Sequence, residues 1–184
     1  ILCYAFYIFI LCGGNKFIMK IAIIGYSGSG KSTLAKKISE KYNYPLLYLD
    51  TVNFEANWKE RNKEEAKRIV EEFMKNDSWI IDGNYFDFYQ DRRMKEADKI
   101  IFMNFPRHVC FKQAYKRYLN SKKKVRESMS EGCEEKFDFE FAKWILIDGR
   151  SKKYKERYEN ICNKYKDKVI VCRNRDDVRN RIEV

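Results

Sequence analysis

The sequence predicts an α/β fold: a parallel sheet of five strands with helices on both faces. Three observations point there. Five short apolar runs alternate with stretches of helical periodicity. A glycine-rich turn, GYSGSGKST at 25–33, sits between the first run and the first helical stretch. The second and third runs each lead into an acid, Asp50 and Asp82, as strands do where a parallel sheet presents its carboxyl edge to a ligand.

Taken in order, KIAII at 20–24 reads as a buried strand. Residues 31–42 place Leu34, Ala35, Ile38 and Tyr42 on one helical face. Residues 46–49 form a short strand ending at Asp50. The clearest helix is 63–75, where Ala66, Ile69, Val70, Phe73 and Met74 make one stripe. A strand at 79–81 runs into Asp82-Gly83-Asn84, and another at 100–104 is stopped by Pro106. A helix follows at about 109–119. Residues 120–135 are polar and charged without periodicity, the pattern of a surface flap. A helix through Phe141, Trp144 and Ile145 comes next. Another carries Tyr154, Tyr158, Ile161, Cys162 and Tyr165 on one side. A last strand at 169–172 and a short helix at 176–182 complete the alternation, with right-handed crossovers.

The 184 residues are one domain's worth, and with two prolines and eight glycines no flexible linker divides them. Residues 19–184 are expected to form a single domain with a lid at about 120–136. The first eighteen residues include twelve apolar ones in a row, too few for a membrane span and without a positive residue before them. Met19 directly precedes the first strand. It is the expected native start, with residues 1–18 as upstream sequence and no membrane partner.

Net charge is +11, and removing Lys16 leaves +10 on the domain, a balance that favours acidic partners such as nucleotides or nucleic acid. The six cysteines form no CxxC pair, and His108 is the single histidine, which excludes the usual zinc sites. Such spacing fits reduced thiols and a cytoplasmic location.

GYSGSGKS fits G-x-x-x-x-G-K-[ST]. A polyphosphate concentrates negative charge, and backbone N–H groups can wrap it only where side chains do not intervene and the chain can take positive φ. Gly25, Ser27, Gly28, Ser29, Gly30, Lys31, Ser32 and Thr33 are therefore the expected ATP-binding set. The helix start adds free N–H groups and its dipole. Lys31 reaches the β- and γ-phosphates, and Ser32 ligates Mg²⁺.

Asp50 is the candidate to orient an acceptor hydroxyl, take its proton and share the metal with Ser32. The Asp82-Gly83-Asn84 segment reads at least equally as a turn, one that can still line a pocket. Asn104 ends the fourth strand where many P-loop proteins carry an acid, so metal binding would lean on Ser32 and Asp50. Among the arginines, Arg92, Arg93 and Arg107 lie near the expected catalytic edge. Arg117 and Arg126 flank the flap and are the ones expected to neutralise a moving phosphoryl group. Arg173 is placed beside the adenine. Phe54, Trp58 and Tyr85 are available to pack on a substrate ring or to fill the core, and His108 receives no role.

Several segments together, GYSGSGKSTLA, YLDTVNFEANW, WIIDGNY, ADKIIFMNFPR and EGCEEKFDFEFAKWILIDGRSKKY, resemble the bacterial topology modulation proteins. These are P-loop proteins related to adenylate kinase and shikimate kinase. The resemblance runs from about Met19 to the C-terminus, and its most specific stretch is EGCEEKFDFEFAKW. It implies a three-layer P-loop NTPase fold with strand order 2-3-1-4-5. It further implies ATP binding through Gly28, Gly30, Lys31, Ser32 and Thr33, an acceptor site at Asp50, and a lid around 120–135. Asn104 departs from the family, where Asp is expected.

The leading expectation is a small ATP-dependent phosphotransferase acting on an unnamed nucleotide or small-molecule acceptor. The alternative is a nucleic-acid-associated ATP-binding protein that modulates DNA topology. It draws on the positive charge and on clusters such as Lys122-Lys123-Lys124 and Lys152-Lys153. A third is an ATP-dependent regulator with little turnover.

Overall fold

Ile21 to Ile24 are shut away from solvent on both sides of their strand, so this segment is the middle of the molecule. Each of the segment's three isoleucines contributes roughly 1.5–3 kcal/mol of burial. In the computed structural model, which describes residues 18–120 and 125–182, this strand is β1, Lys20–Gly25. It is flanked by β3 (Trp79–Asp82) and β4 (Lys99–Met103). Short β2 (Leu46–Tyr48) pairs with β3, and β5 (Val169–Cys172) pairs with β4. All pairs are parallel, and the sheet order is β2-β3-β1-β4-β5, as the resemblance implied.

The helices around the sheet are α1 (Lys31–Tyr42), α2 (Leu49–Asn53), α3 (Lys63–Phe73), α4 (Gln90–Glu96), α5 (Arg107–Asn120), α6 (Phe139–Leu146), α7 (Lys152–Lys164) and α8 (Arg175–Arg181). Helix α3 starts because Asn62 accepts from the N–H groups of Glu64 and Glu65, and both glutamates suit the positive end of the dipole. Asn174 caps α8 and Asp138 caps α6 in the same way.

Three elements differ from expectation. Strand β2 stops at Tyr48, and the chain turns at once into α2, so Asp50 lies in a first helical turn instead of at a strand end. The Thr51 hydroxyl donates to Tyr48 O at 2.7 Å and fixes that turn. Helix α4 carries no clear apolar period and was not foreseen. What holds it is Arg93, which is fully buried. Its guanidinium donates to Phe88 O at 2.7 Å, Tyr85 O at 2.6 Å and Gly83 O at 3.3 Å. Burial pulls its pKa down to about 9, so it stays charged at neutral pH. The flap, expected as an aperiodic surface loop, contains an antiparallel bridge between Val125 and Glu134.

Among the described residues no helix is long and apolar enough to cross a membrane. The expected upstream extension, apart from Ile18, and the lysine cluster at 122–124 lie outside the described residues.

Candidate active site

The turn between β1 and α1 is shaped by close approaches that leave no room for side chains. At Gly28, φ is +79° and a Cβ would stand 2.3 Å from Cys110 O. At Gly25, φ is +142° and a Cβ would stand 2.5 Å from Met103 O. Asn84 brackets Gly25 on both sides: its Oδ1 accepts from the glycine N–H at 2.9 Å, and its Nδ2 donates to the glycine carbonyl at 2.6 Å. The Asp82-Gly83-Asn84 turn therefore also clamps the loop.

The loop has an outer brace. Trp144 of α6 donates its indole N–H to Ser27 Oγ at 3.2 Å. The Arg150 guanidinium lies 3.3 Å over the Tyr26 ring and donates to Phe105 O at 2.7 Å. The Ser29 hydroxyl is buried without a partner.

Lys31 turns back and donates to Tyr26 O at 3.1 Å. Next to it, the Ser32 hydroxyl donates to Asp82 Oδ2 at 2.7 Å. Asp82 is 5% exposed, and its Oδ1 is buried with no hydrogen-bond partner. Burial pushes this carboxyl up to about 6, against the pull of the Lys31 ammonium and the Ser32 hydroxyl. The acid that touches Ser32 is thus Asp82, while Asp50 accepts at Oδ1 from the Tyr85 hydroxyl at 2.9 Å. Burial first, and the Asp50 charge second, keep that phenol protonated far into the alkaline range.

Arg117 and Arg126 converge on Glu135, a residue not singled out from the sequence. The Glu135 side chain is 3% exposed. Its Oε1 accepts from Arg117 Nε at 2.8 Å and Nη2 at 2.5 Å. Arg126 Nε stands 2.5 Å from Oε2, an ionic contact whose angle falls outside hydrogen-bond geometry. Burial and the neighbouring Arg126 lower the Arg117 pKa.

The flap is docked on the segment after α2. Asn57 N donates to Glu131 O at 3.0 Å, and Trp58 N donates to Cys133 Sγ at 3.2 Å. Ser130 Oγ donates to Phe54 O, and Cys133 Sγ to Glu55 O at 3.4 Å. Asn57 and Trp58 are held at φ +59° and +64°, left-handed backbone that ordinary residues adopt at a cost of about 1–2 kcal/mol each. These contacts fix the Trp58 ring on the cavity wall.

Together these parts enclose a cleft of about 590 Å³. Ser27, Gly28 and Gly30 to Thr33 line one end, and Asp50, Phe54, Trp58, Arg117, Arg126, Met129 and Glu135 line the rest. Gly25 and Ser29, though in the loop, do not line the cleft, and Arg173 does not join it either: it is exposed, with its N–H bonded to Asp177. The arginine that covers the loop is Arg175, whose guanidinium nitrogens stand 3.0 and 3.2 Å from the position of a Cβ on Gly30. Asn104 does not line the cleft either. Its N–H bonds Cys172 O at 2.8 Å and ties β4 to β5.

Comparison with known proteins finds sequence similarity to P-loop kinases. The chain is 33% identical over 103 residues to an adenylate kinase of Lachnoclostridium phytofermentans, covering 55% of this chain and 46% of that one. It is 27% identical over 107 residues to a shikimate kinase of Persephonella marina, covering 50% of this chain and 65% of that protein. The chain spans about half the length of the curated adenylate kinases it matches. No family model matches. Among solved structures, deoxyadenosine kinase from M. mycoides with bound dATP superposes with a TM-score of 0.49 at 18% identity, covering 90% of this chain and 96% of that one. Shikimate kinase from Bacteroides thetaiotaomicron gives 0.47 at 20%, covering 90% and 94%.

Proposed function

We propose that the chain is an ATP-dependent phosphotransferase, moving the γ-phosphoryl group of ATP to an acceptor held beside Asp50. One observation carries the reading. A loop whose glycines leave no room for a Cβ opens into Lys31 and Ser32, and the Ser32 hydroxyl meets a buried carboxylate, Asp82, whose Oδ1 has no partner. The similarity to adenylate and shikimate kinases supports it.

The loop N–H groups and the start of α1 bind the phosphates. Lys31 leaves Tyr26 O for the β- and γ-phosphates. The Arg117–Glu135–Arg126 triad keeps one net positive charge and faces the charge that spreads over the moving group. Asp50, steadied by Tyr85, orients the acceptor and takes its proton. The flap excludes water.

The residues present fit Mg²⁺. Among the described residues no cluster of three or more acids, histidines or cysteines would hold an ion unaided. A hydroxyl and an orphaned carboxylate oxygen side by side suit a small hard cation that keeps several waters and takes its other ligands from phosphate. Ser32 and Asp82 would hold it, and Asp50 belongs to the acceptor side. When bound, the ion neutralises phosphate charge.

A cytoplasmic setting belongs to the same proposal, as does a relationship to topology modulation proteins. The nucleic-acid alternative gains no specific contact: its cluster at 122–124 is undescribed, and Lys152 pairs with Glu156 at 3.7 Å. The test is calorimetry with ATP and MgCl₂ on the wild type and Lys31→Ala. Binding lost in the variant is expected, and silence from the folded wild type would overturn the proposal.

A further inference from the structure

The acceptor end of the cleft has its own chemistry. Asp50 offers a carboxylate whose Oδ1 is held by Tyr85 and whose Oδ2 has no hydrogen bond among the described residues. A hydroxyl group fits that free oxygen as a donor. A phosphate or carboxylate does not, because like charges would meet there. Of the cations that line the cleft, Arg117 and Arg126 share Glu135, their one spare charge going to the moving phosphoryl group, and Lys36 pairs with Glu127. Lys136 also lines the cleft, exposed and 5.4 Å over the Trp58 ring.

Beyond Asp50 the wall is aromatic. Phe54 and Trp58 meet edge to face with centroids 5.3 Å apart and planes at 71°, forming a corner beside Met129. Trp58 Nε1 is turned away into the protein, so what this wall offers the cleft is ring surface. A flat ring would stack into that corner. A small polyol would not use it.

Resting on the kinase reading above, we infer that the acceptor is an uncharged, hydroxyl-bearing compound with a flat heterocyclic ring, the chemical class of a nucleoside, and not a nucleotide phosphate or a hydroxy acid. The acceptor hydroxyl oxygen forms a bond to Pγ as the bond from Pγ to the β,γ-bridging oxygen breaks. The bridging electron pair leaves with ADP, and the hydroxyl proton passes to Asp50 and then to water.

The experiment measures ADP release from Mg·ATP by the full chain in three arms: adenosine, guanosine, cytidine and thymidine; their 5′-monophosphates; and shikimate. Stimulation of at least ten-fold by one nucleoside, with its monophosphate weaker, is the expected result. In that reaction Trp58→Ala should raise the nucleoside KM about ten-fold with the ATP KM unchanged, and Trp58→Phe should restore most of it. A monophosphate or shikimate as the best acceptor overturns the inference and leaves the kinase reading standing. Silence in every arm overturns it too. Calorimetry with Mg·ATP then shows whether the kinase reading has fallen with it.

Discussion

Ser32 Oγ donates to Asp82 Oδ2 at 2.7 Å, joining the first turn of α1 to the end of β3 across fifty positions of sequence. The other oxygen of the same carboxylate has no partner. The nucleotide-free protein therefore carries a buried charge that is half satisfied.

Asp82→Asn should stabilise the nucleotide-free protein at neutral pH. The folded pKa of about 6 lies above the ordinary 3.8. The folded state then holds its proton longer than the unfolded one, and stability falls as pH rises from about 4 to 6, then levels. The shift is worth on the order of 2–3 kcal/mol above pH 6. Asn can still accept from Ser32 and has no such slope. Thermal denaturation at pH 4 and pH 7.5 should show the variant's advantage growing between them, to about 5 °C in Tm, while Mg·ATP-dependent turnover is lost.

Lys31→Ala should leave the fold alone and remove the ligand. Its recorded contact is one hydrogen bond to Tyr26 O, worth about 0.5–1.5 kcal/mol. Differential scanning fluorimetry should find Tm within about 3 °C of wild type. Calorimetry should find Mg·ATP at least about thirty-fold weaker, a charge-assisted loss of roughly 2 kcal/mol.

Glu135→Gln should unsettle the flap. It leaves Arg117 and Arg126 facing each other without their shared carboxylate. Removing one member of such a buried set costs on the order of 3–5 kcal/mol. A triphosphate would replace part of the missing charge. The Tm rise on adding Mg·ATP should therefore be larger in the variant than in the wild type.

Arg93→Leu should destabilise by about 3 kcal/mol or more, because three carbonyls lose a charged donor inside the protein. Two of them, Gly83 O and Tyr85 O, lie in the segment that presents Tyr85 to Asp50. Acceptor turnover should fall even at temperatures where the variant remains folded. Chemical denaturation and steady-state kinetics on the same preparation separate the two effects.

The strands and most helices were legible because their apolar spacing is local, and GYSGSGKS encodes its own backbone demands. Asp82 was half legible. The sequence places it at a strand end, but its contact with Ser32 depends on β3 lying beside β1. Glu135 was hidden in a charged run, where nothing local marks one glutamate as the buried one. Arg93 was equally hidden, since helical periodicity does not announce an arginine that points inward. Arg173 and Arg175 are two residues apart, and the cap of α8 at Asn174 decides which of them reaches Gly30.

The main-chain and hydroxyl contacts that pin residues 54–58 to residues 130–133 have a kinetic corollary. If the proposed phosphotransfer takes place here, both reactants would share this wall of the chamber, and each would have to be aboard before the other is shut in. Direct transfer within a three-body complex is then the expected route, with no phosphorylated enzyme along it. Double-reciprocal lines should cross, not run parallel.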